Sequence, residues 1–200
     1  LLLEKNITVI RNGVDTTIFN NLRKLPLNDS FTFITAGRLV KEKGYLSVAK
    51  QLKRIINVSG KRFLWHIAGS GPDEAFIKNS IKELGLNPYV KFHGAIEQKK
   101  LAHLYNHSRV FILLSELEES LGLVYMEASC CGCYSIGLNQ FGVREAIIND
   151  ETGSLVESAG DIVGLLEKNK INRITISEIA QRKFSLDEMC SKIELLVSSS

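Results

Sequence analysis

Positions 115–132 read SELEESLGLVYMEASCCG. Glu116, Glu118 and Glu119 precede Gly122, and Glu127 follows inside an apolar run. Ionised carboxylates are pure acceptors, suited to the paired hydroxyls of sugars. The segment before them, RVFILLS (109–115), reads as a strand, so the next helix is expected to open near Leu121 or Gly122. Glu119 then lies just ahead of the helix, and Glu127 about 7 Å further along its axis at about 1.5 Å per residue. Between them the N–H groups of Gly122, Leu123 and Val124 form a helix mouth, where an anion is favoured. A charged first turn accounts for Glu118 and Glu119 without any ligand. It does not account for Glu127 within LVYMEASC. A diphosphate at the mouth, with one acid facing a ribose and the other a hexose, accounts for both, and Gly122 keeps side-chain bulk away from it.

Other loops add candidates. AGRLVKEKG (36–44) places Arg38 and Lys43 just before a helix N-terminus, where cations do not help the isolated helix. They are either anion ligands or two surface cations, and loop position alone does not choose. AGSGPDE (68–74) offers Gly69 and Gly71 for close backbone approach. It lacks the third glycine and the following acid of a dinucleotide fingerprint, which counts against a nicotinamide-dependent enzyme.

Histidine and cysteine carry less. His93 ends a strand on the ligand side and is a candidate contact, whereas His66 reads as a core residue. His103 and His107 are four apart on a helix without a third ligand, and read as a solvated face. Cys130, Cys131, Cys133 and Cys190 lack paired CxxC spacing and read as buried small hydrophobes in a reducing compartment.

The elements that must position these residues alternate along the chain. FTFITAG (31–37), RFLWHIAG (62–69), YVKFHG (89–94), RVFILLS (109–115), CYSIGL (133–138) and GSLVE (153–157) read as strands. GYLSVAKQLKRIINV (44–58), DEAFIKNSIKELG (73–85), KKLAHLYNHS, LGLVYMEASC, REAIIND and AGDIVGLLEK read as the intervening helices. Two amphipathic helices follow Asn172, the last opened by a capping box of Ser185 and Glu188. The order implies an α/β, Rossmann-like, doubly wound parallel sheet of about six strands. Ligands of such sheets bind beyond the carboxyl ends of the strands, after positions 36, 68, 93, 114 and 138.

The 200 residues carry 44% hydrophobic and 24% charged residues with a net charge of +3, an ordinary globular composition that does not suggest a nucleic-acid partner. No repeat or linker divides the chain, so residues 1–200 read as one domain. The opening LLLEKN is neither a signal peptide nor a membrane span. It suggests a chain cut from something longer.

At these residues the chain resembles the C-terminal, donor-binding domain of a retaining GT-B glycosyltransferase of the glycosyl transferases group 1 family. The resemblance runs through VIRNGVDTTIF (9–19), the GRL…EKG loop (37–44), GSGP (69–72), VKFHG (90–94), Glu119 with Glu127, and EASCCG (127–132). It implies one half of a GT-B architecture, with an acceptor-binding N-terminal domain absent, and a nucleotide diphosphate sugar (UDP-, GDP- or ADP-linked) as donor. It implies that Arg38 and Lys43 bind the diphosphate, Glu119 the transferred sugar and Glu127 the ribose, with Glu119, Arg38 and Lys43 the catalytic set. Gly37, Gly69, Gly71, His93, Gly94, Ala95, Ile96, Leu121, Gly122, Leu123 and Val124 would complete the donor site, the base lying against Ala95 and Ile96. No metal or cofactor is expected.

The acceptor would be a glycan or lipid-linked, and the full-length protein cytoplasmic with room for peripheral membrane association. A fragment would be nearly inactive alone, with its final helix left partly uncovered. Tyr134 and Phe141 depart from the family's Pro and Gly and are expected to border the sugar pocket; Lys41 replaces another Pro. A nucleotide-sugar epimerase or phosphorylase of the same shape, and a non-catalytic binding module, stay open as alternatives.

Overall fold

Strands that are apolar on both faces must be covered on both faces, and the chain does this by alternating strand and helix. In the computed structural model the described residues are 8–22, 31–59, 63–162, 164–165 and 172–198. They form β1 (Phe31–Ala36), α1 (Tyr45–Ser59), β2 (Phe63–Ala68), α2 (Glu74–Glu83), β3 (Val90–Gly94), α3 (Gln98–Asn106) and β4 (Val110–Leu113). Then come α4 (Leu123–Cys130), β5 (Tyr134–Leu138), α5 (Val143–Ala146), β6 (Gly153–Val156), α6 (Arg173–Phe184) and α7 (Leu186–Ser198). The six strands make one sheet in the order β3-β2-β1-β4-β5-β6, every pairing parallel. This is the doubly wound α/β fold, and its order reverses between β1 and β4.

Alternate residues of each strand feed two separate cores. Ile34, Phe111 and Leu113 pack with Tyr105, Tyr125, Met126 and Ala180 on one face. Phe33, Trp65, Ile67, Val110 and Ile112 pack with Val48, Leu52 and Ile81 on the other. Each large side chain removed from water contributes about 1.5–3 kcal/mol, so the two layers fix the sheet without help from the loops. A buried polar chain crosses the sheet: the Trp65 indole donates to Thr35 Oγ1 (2.9 Å), which donates to the Ile112 carbonyl (2.6 Å). Val14, ahead of β1, is tied to the junction of α6 and α7, because Val14 N–H donates to Phe184 O and Leu186 N–H donates to Val14 O.

Several expectations need correction. The helix expected over REAIIND shortens to α5, because Asp150 adopts a left-handed conformation and Thr152 Oγ1 accepts from Ile148 N–H. AGDIVGLLEK begins as a 3-10 turn at Ala159–Asp161, and its remainder lies largely outside the described residues. Tyr134 opens β5 at the end of the sheet opposite the ligand side. It is 4% exposed and hydrogen-bonded to Ser154 Oγ (2.6 Å), away from the carboxyl ends of the strands where the sugar pocket was expected. Cys130, Cys131 and Cys133 are buried as expected, but Cys190 is exposed. The Ser185 hydroxyl accepts from Glu188 N–H (3.2 Å), completing the main-chain half of the capping box. No described residue of α7 is buried, and Ile193 and Val197 stand open to solvent.

Candidate functional site

The carboxyl ends of β1, β2 and β3 open into a cleft of about 360 Å³. It is lined by Ala36, Gly37 and Arg38 after β1, by Ala68, Gly69 and Ser70 after β2, and by Ala95 and Ile96 after β3. Leu101 of α3 and Val124 and Glu127 of α4 form the far wall. The first two loops approach each other closely. Gly37 N–H donates to Ala68 O, Gly69 N–H donates to Gly94 O, and a Cβ on Gly69 would sit 1.9 Å from the Gly37 carbonyl oxygen. Only a glycine, here at φ +139°, lets these strand ends meet.

Glu127 is the one acid on that wall. Burial pushes its carboxyl up to about 7, and the Tyr105 hydroxyl beside it draws it partly back down. That hydroxyl is wholly buried and makes no hydrogen bond of ordinary length. Helix α4 holds Glu127 about 6 Å along the axis from Leu123. Gly122 caps the helix at φ +71° without any side-chain cap, so the first N–H groups are left for a ligand. A Cβ at Gly122 would lie 2.9 Å from the Tyr125 ring, so this glycine also serves the turn and the packing beneath it.

A second, polar centre stands at the switch point between the loops after β1 and β4. Lys43 closes a 3-10 turn (Lys41–Lys43), and its ammonium pairs with Glu119. The two side chains are 17% and 16% exposed. Glu119 Oε1 also accepts from Ser115 Oγ (2.7 Å), and Glu116 N–H donates to Glu42 O (2.7 Å). Ser115 is therefore a member of this centre that sequence reading missed; its place at the end of β4 was the available signal. Phe141 is exposed at φ +45°, with its neighbours held by Gln140 Nε2 donating to Ser115 O and by Gly142 N–H donating to Glu119 O.

The expected site residues thus divide. Gly37, Arg38, Gly69, Ala95, Ile96, Val124 and Glu127 meet in the cleft. Lys43 and Glu119 pair with each other beside it. Gly71 packs under the Leu39 backbone, Gly94 turns at φ +66°, and Leu121 packs on the core while Leu123 is exposed. His93 does not line the cleft. Its Nε2 meets His66 Nδ1 at 2.8 Å, and burial lowers the pKa of both rings, that of His66 to about 4. His66 is buried and satisfied by this partner on the neighbouring strand, which agrees with its reading as a core residue. Burial raises the thiols of Cys130 and Cys133 to about 12 and that of Cys131 further, which leaves them inert. Among the described residues there is no cluster of three or more His, Cys, Asp or Glu, and no helix is long and apolar enough to cross a membrane.

Comparison with known proteins places the chain among sugar transferases. The sequence pattern described as "Glycosyl transferases group 1" matches residues 18–185. N-acetyl-alpha-D-glucosaminyl L-malate synthase of Bacillus anthracis is 28% identical over 171 residues, 82% of this chain and 43% of that enzyme. Glycogen synthase of Mycobacterium tuberculosis is 29% identical over 147 residues, 74% of this chain and 35% of that enzyme. The chain thus spans less than half the length of these curated relatives. Among solved structures, Anabaena Alr3699/HepE in complex with UDP superposes with a TM-score of 0.80 at 20% identity, over 96% of this chain and 57% of that one. The pneumococcal O-GlcNAc transferase GtfA in complex with UDP and GlcNAc gives 0.77 at 24% identity, over 94% and 38%. These two likenesses establish the fold.

Proposed function

Because this chain belongs to the glycosyl transferases group 1 family, we propose that it is the donor-binding half of a GT-B enzyme. That enzyme transfers a sugar from a nucleotide diphosphate sugar, with retention of configuration, to a glycan or lipid-linked acceptor held mainly by an N-terminal domain. The observation that carries this reading is Glu127, an isolated acid on an otherwise apolar cleft wall, one turn inside a helix whose N-terminus has no side-chain cap. A ribose with two adjacent hydroxyls matches an acceptor-only carboxylate there. The base then lies between Ala95, Ile96 and Leu101, read through backbone and apolar contact. The diphosphate runs toward the α4 mouth, with Arg38 and Lys43 supplying positive charge and the free N–H groups supplying donors. Glu119 receives the hexose hydroxyls.

Charge neutralisation by these groups favours departure of the nucleoside diphosphate as the glycosidic bond breaks. Binding and product measurements test the reading. Titration with UDP, GDP and ADP should give saturable binding to one of them. Glu127→Ala should then weaken binding of the nucleotide itself at least about tenfold, the loss of a charged hydrogen-bond acceptor. Glu119→Ala should spare the nucleotide and erase discrimination among its sugars. Unchanged affinity in both variants contradicts the assignment. Stereochemistry of the glycosidic product made by the full-length protein decides retention, and transfer at ordinary enzyme rates by this chain alone would contradict its place as half of an enzyme.

A further inference from the structure

Among the described residues Tyr105 is one of two with a buried side-chain polar atom that has no hydrogen-bond partner, and it stands one turn beyond Leu101, which lines the cleft. It sits on the last turn of α3 with no exposed surface, its hydroxyl without a hydrogen-bond partner. A buried hydroxyl left unpaired costs about 1–3 kcal/mol, so native structures retain one only for a reason. Its ring is not free to turn. Phe111 meets it edge-on at 5.9 Å between centroids and Phe19 packs at 6.1 Å. Its backbone is pinned as well, because the Tyr105 carbonyl accepts from Cys133 Sγ (3.0 Å) and from Arg173 Nη2 (3.3 Å). The ring is thereby fixed by contacts that do not involve the hydroxyl, and the hydroxyl lies near enough to the Glu127 carboxyl to favour its ionised form.

We propose that Tyr105 is a positioning residue for Glu127, its clamped and otherwise unpartnered hydroxyl being the donor that holds the carboxylate ionised and facing the cleft when a nucleotide arrives. Glu127 is a flexible side chain on a helix, whereas Tyr105 is fixed by aromatic packing; the rigid member directs the mobile one. A phenol O–H donating to one carboxylate oxygen would leave the second oxygen for the ligand. The phenol can play only the donor here, because burial holds its own proton firmly in place. The other titratable or charged groups around Glu127 are Cys130 and Cys131 on its own helix, both protonated, and the exposed Arg38 across the cleft. None of these can replace the phenol from behind.

This inference rests on the nucleotide reading only for its consequence, and the two can be tested apart. The test is Tyr105→Phe, which keeps the ring and its packing. Carbon-13 NMR of the side-chain carboxyls, with Glu127→Gln used to assign the signal, follows Glu127 titration in the chain without any nucleotide. Tyr105→Phe should raise that titration by about one pH unit, the removal of one donor from the ionised form, while the melting temperature stays level or rises. UDP, used as the probe, should bind the variant about fivefold more weakly at pH 7 and about equally above pH 9, the ratio following the ionised fraction.

Glu127 titrating at the same pH in both proteins overturns the inference, whether or not UDP binds. A raised titration with no response of either protein to UDP, GDP or ADP upholds the Tyr105–Glu127 pair and overturns the nucleotide reading instead. A lower melting temperature with an unmoved titration would make Tyr105 a packing residue and overturn the inference.

Discussion

Glu127 is held in an environment that disfavours its charge, and this has opposite consequences for the empty and the filled cleft. Its folded-state value of about 7 exceeds the 4.5 of an unfolded chain. Below about pH 4.5 both states carry the proton and Glu127 costs the fold nothing. As pH rises from about 4.5 to 7 the unfolded chain ionises first, so this residue progressively destabilises the native state, and the penalty is constant above that range. Glu127→Gln should therefore melt higher than the parent above pH 7 and equally near pH 4, as thermal unfolding at the two pH values would reveal. The same substitution should weaken nucleotide binding, the trade expected of a functional residue. Sequence reading found Glu127 because an acid in LVYMEASC has no packing reason to be there. It did not find Tyr105, because a tyrosine in an amphipathic helix is ordinary in sequence and only its missing partner makes it informative.

At the scale of elements, α4 is the piece everything else holds in place. Its N-terminus turns on Gly122, where Gly122→Ala would force a side chain into the left-handed region, costing about 1–2 kcal/mol, and press it against the Tyr125 ring. A drop of roughly 3–6 °C in melting temperature follows at this chain length. Its C-terminus is gripped by the buried Arg173, whose guanidinium donates to the carbonyls of Cys131 (2.9 Å) and Gly132 (3.2 Å) after α4 and of Asn106 (2.9 Å) at the end of α3. A cation at two helix C-termini also complements their dipoles. Arg173→Met should destabilise the chain by about 3 kcal/mol or more, since buried carbonyls lose their donors, and denaturant titration would measure it. Arg173→Lys should recover only part of that loss, because an ammonium cannot span the fork. The strands and α4 were legible because apolar period and loop chemistry are local. Arg173, read only as part of an amphipathic helix, was not, because its role depends on carbonyls 41 and 67 positions away. Nor was the buried place of Tyr134, which depends on which end of a strand faces the ligand.

For the molecule as a whole, the winding order β3-β2-β1-β4-β5-β6 switches between β1 and β4, and the cleft lies beyond the carboxyl ends of β1, β2 and β3 against α4. The strand–helix alternation in the sequence was enough to anticipate the strand ends, not the strand order. Loop contacts were not so easily read. Lys43 and Glu119 lie 76 positions apart and were expected to serve different parts of one ligand, yet they are joined to each other. A ligand that binds only the folded chain at a hundred times its dissociation constant adds about 2.7 kcal/mol of stability. The correct nucleotide sugar should therefore raise the melting temperature by roughly 5–10 °C, and a panel with no such response would remove the donor-site reading.

At the seam between the two loops the Lys43 ammonium is already paired with the Glu119 carboxylate. An incoming phosphate that captures the ammonium must first evict the acid, and the evicted acid is then free to accept hydroxyl protons. Recognition of the charged leaving group would in that way unlatch recognition of the sugar. Anion capture and sugar capture become a single exchange, ordered by the molecule before any bond is broken.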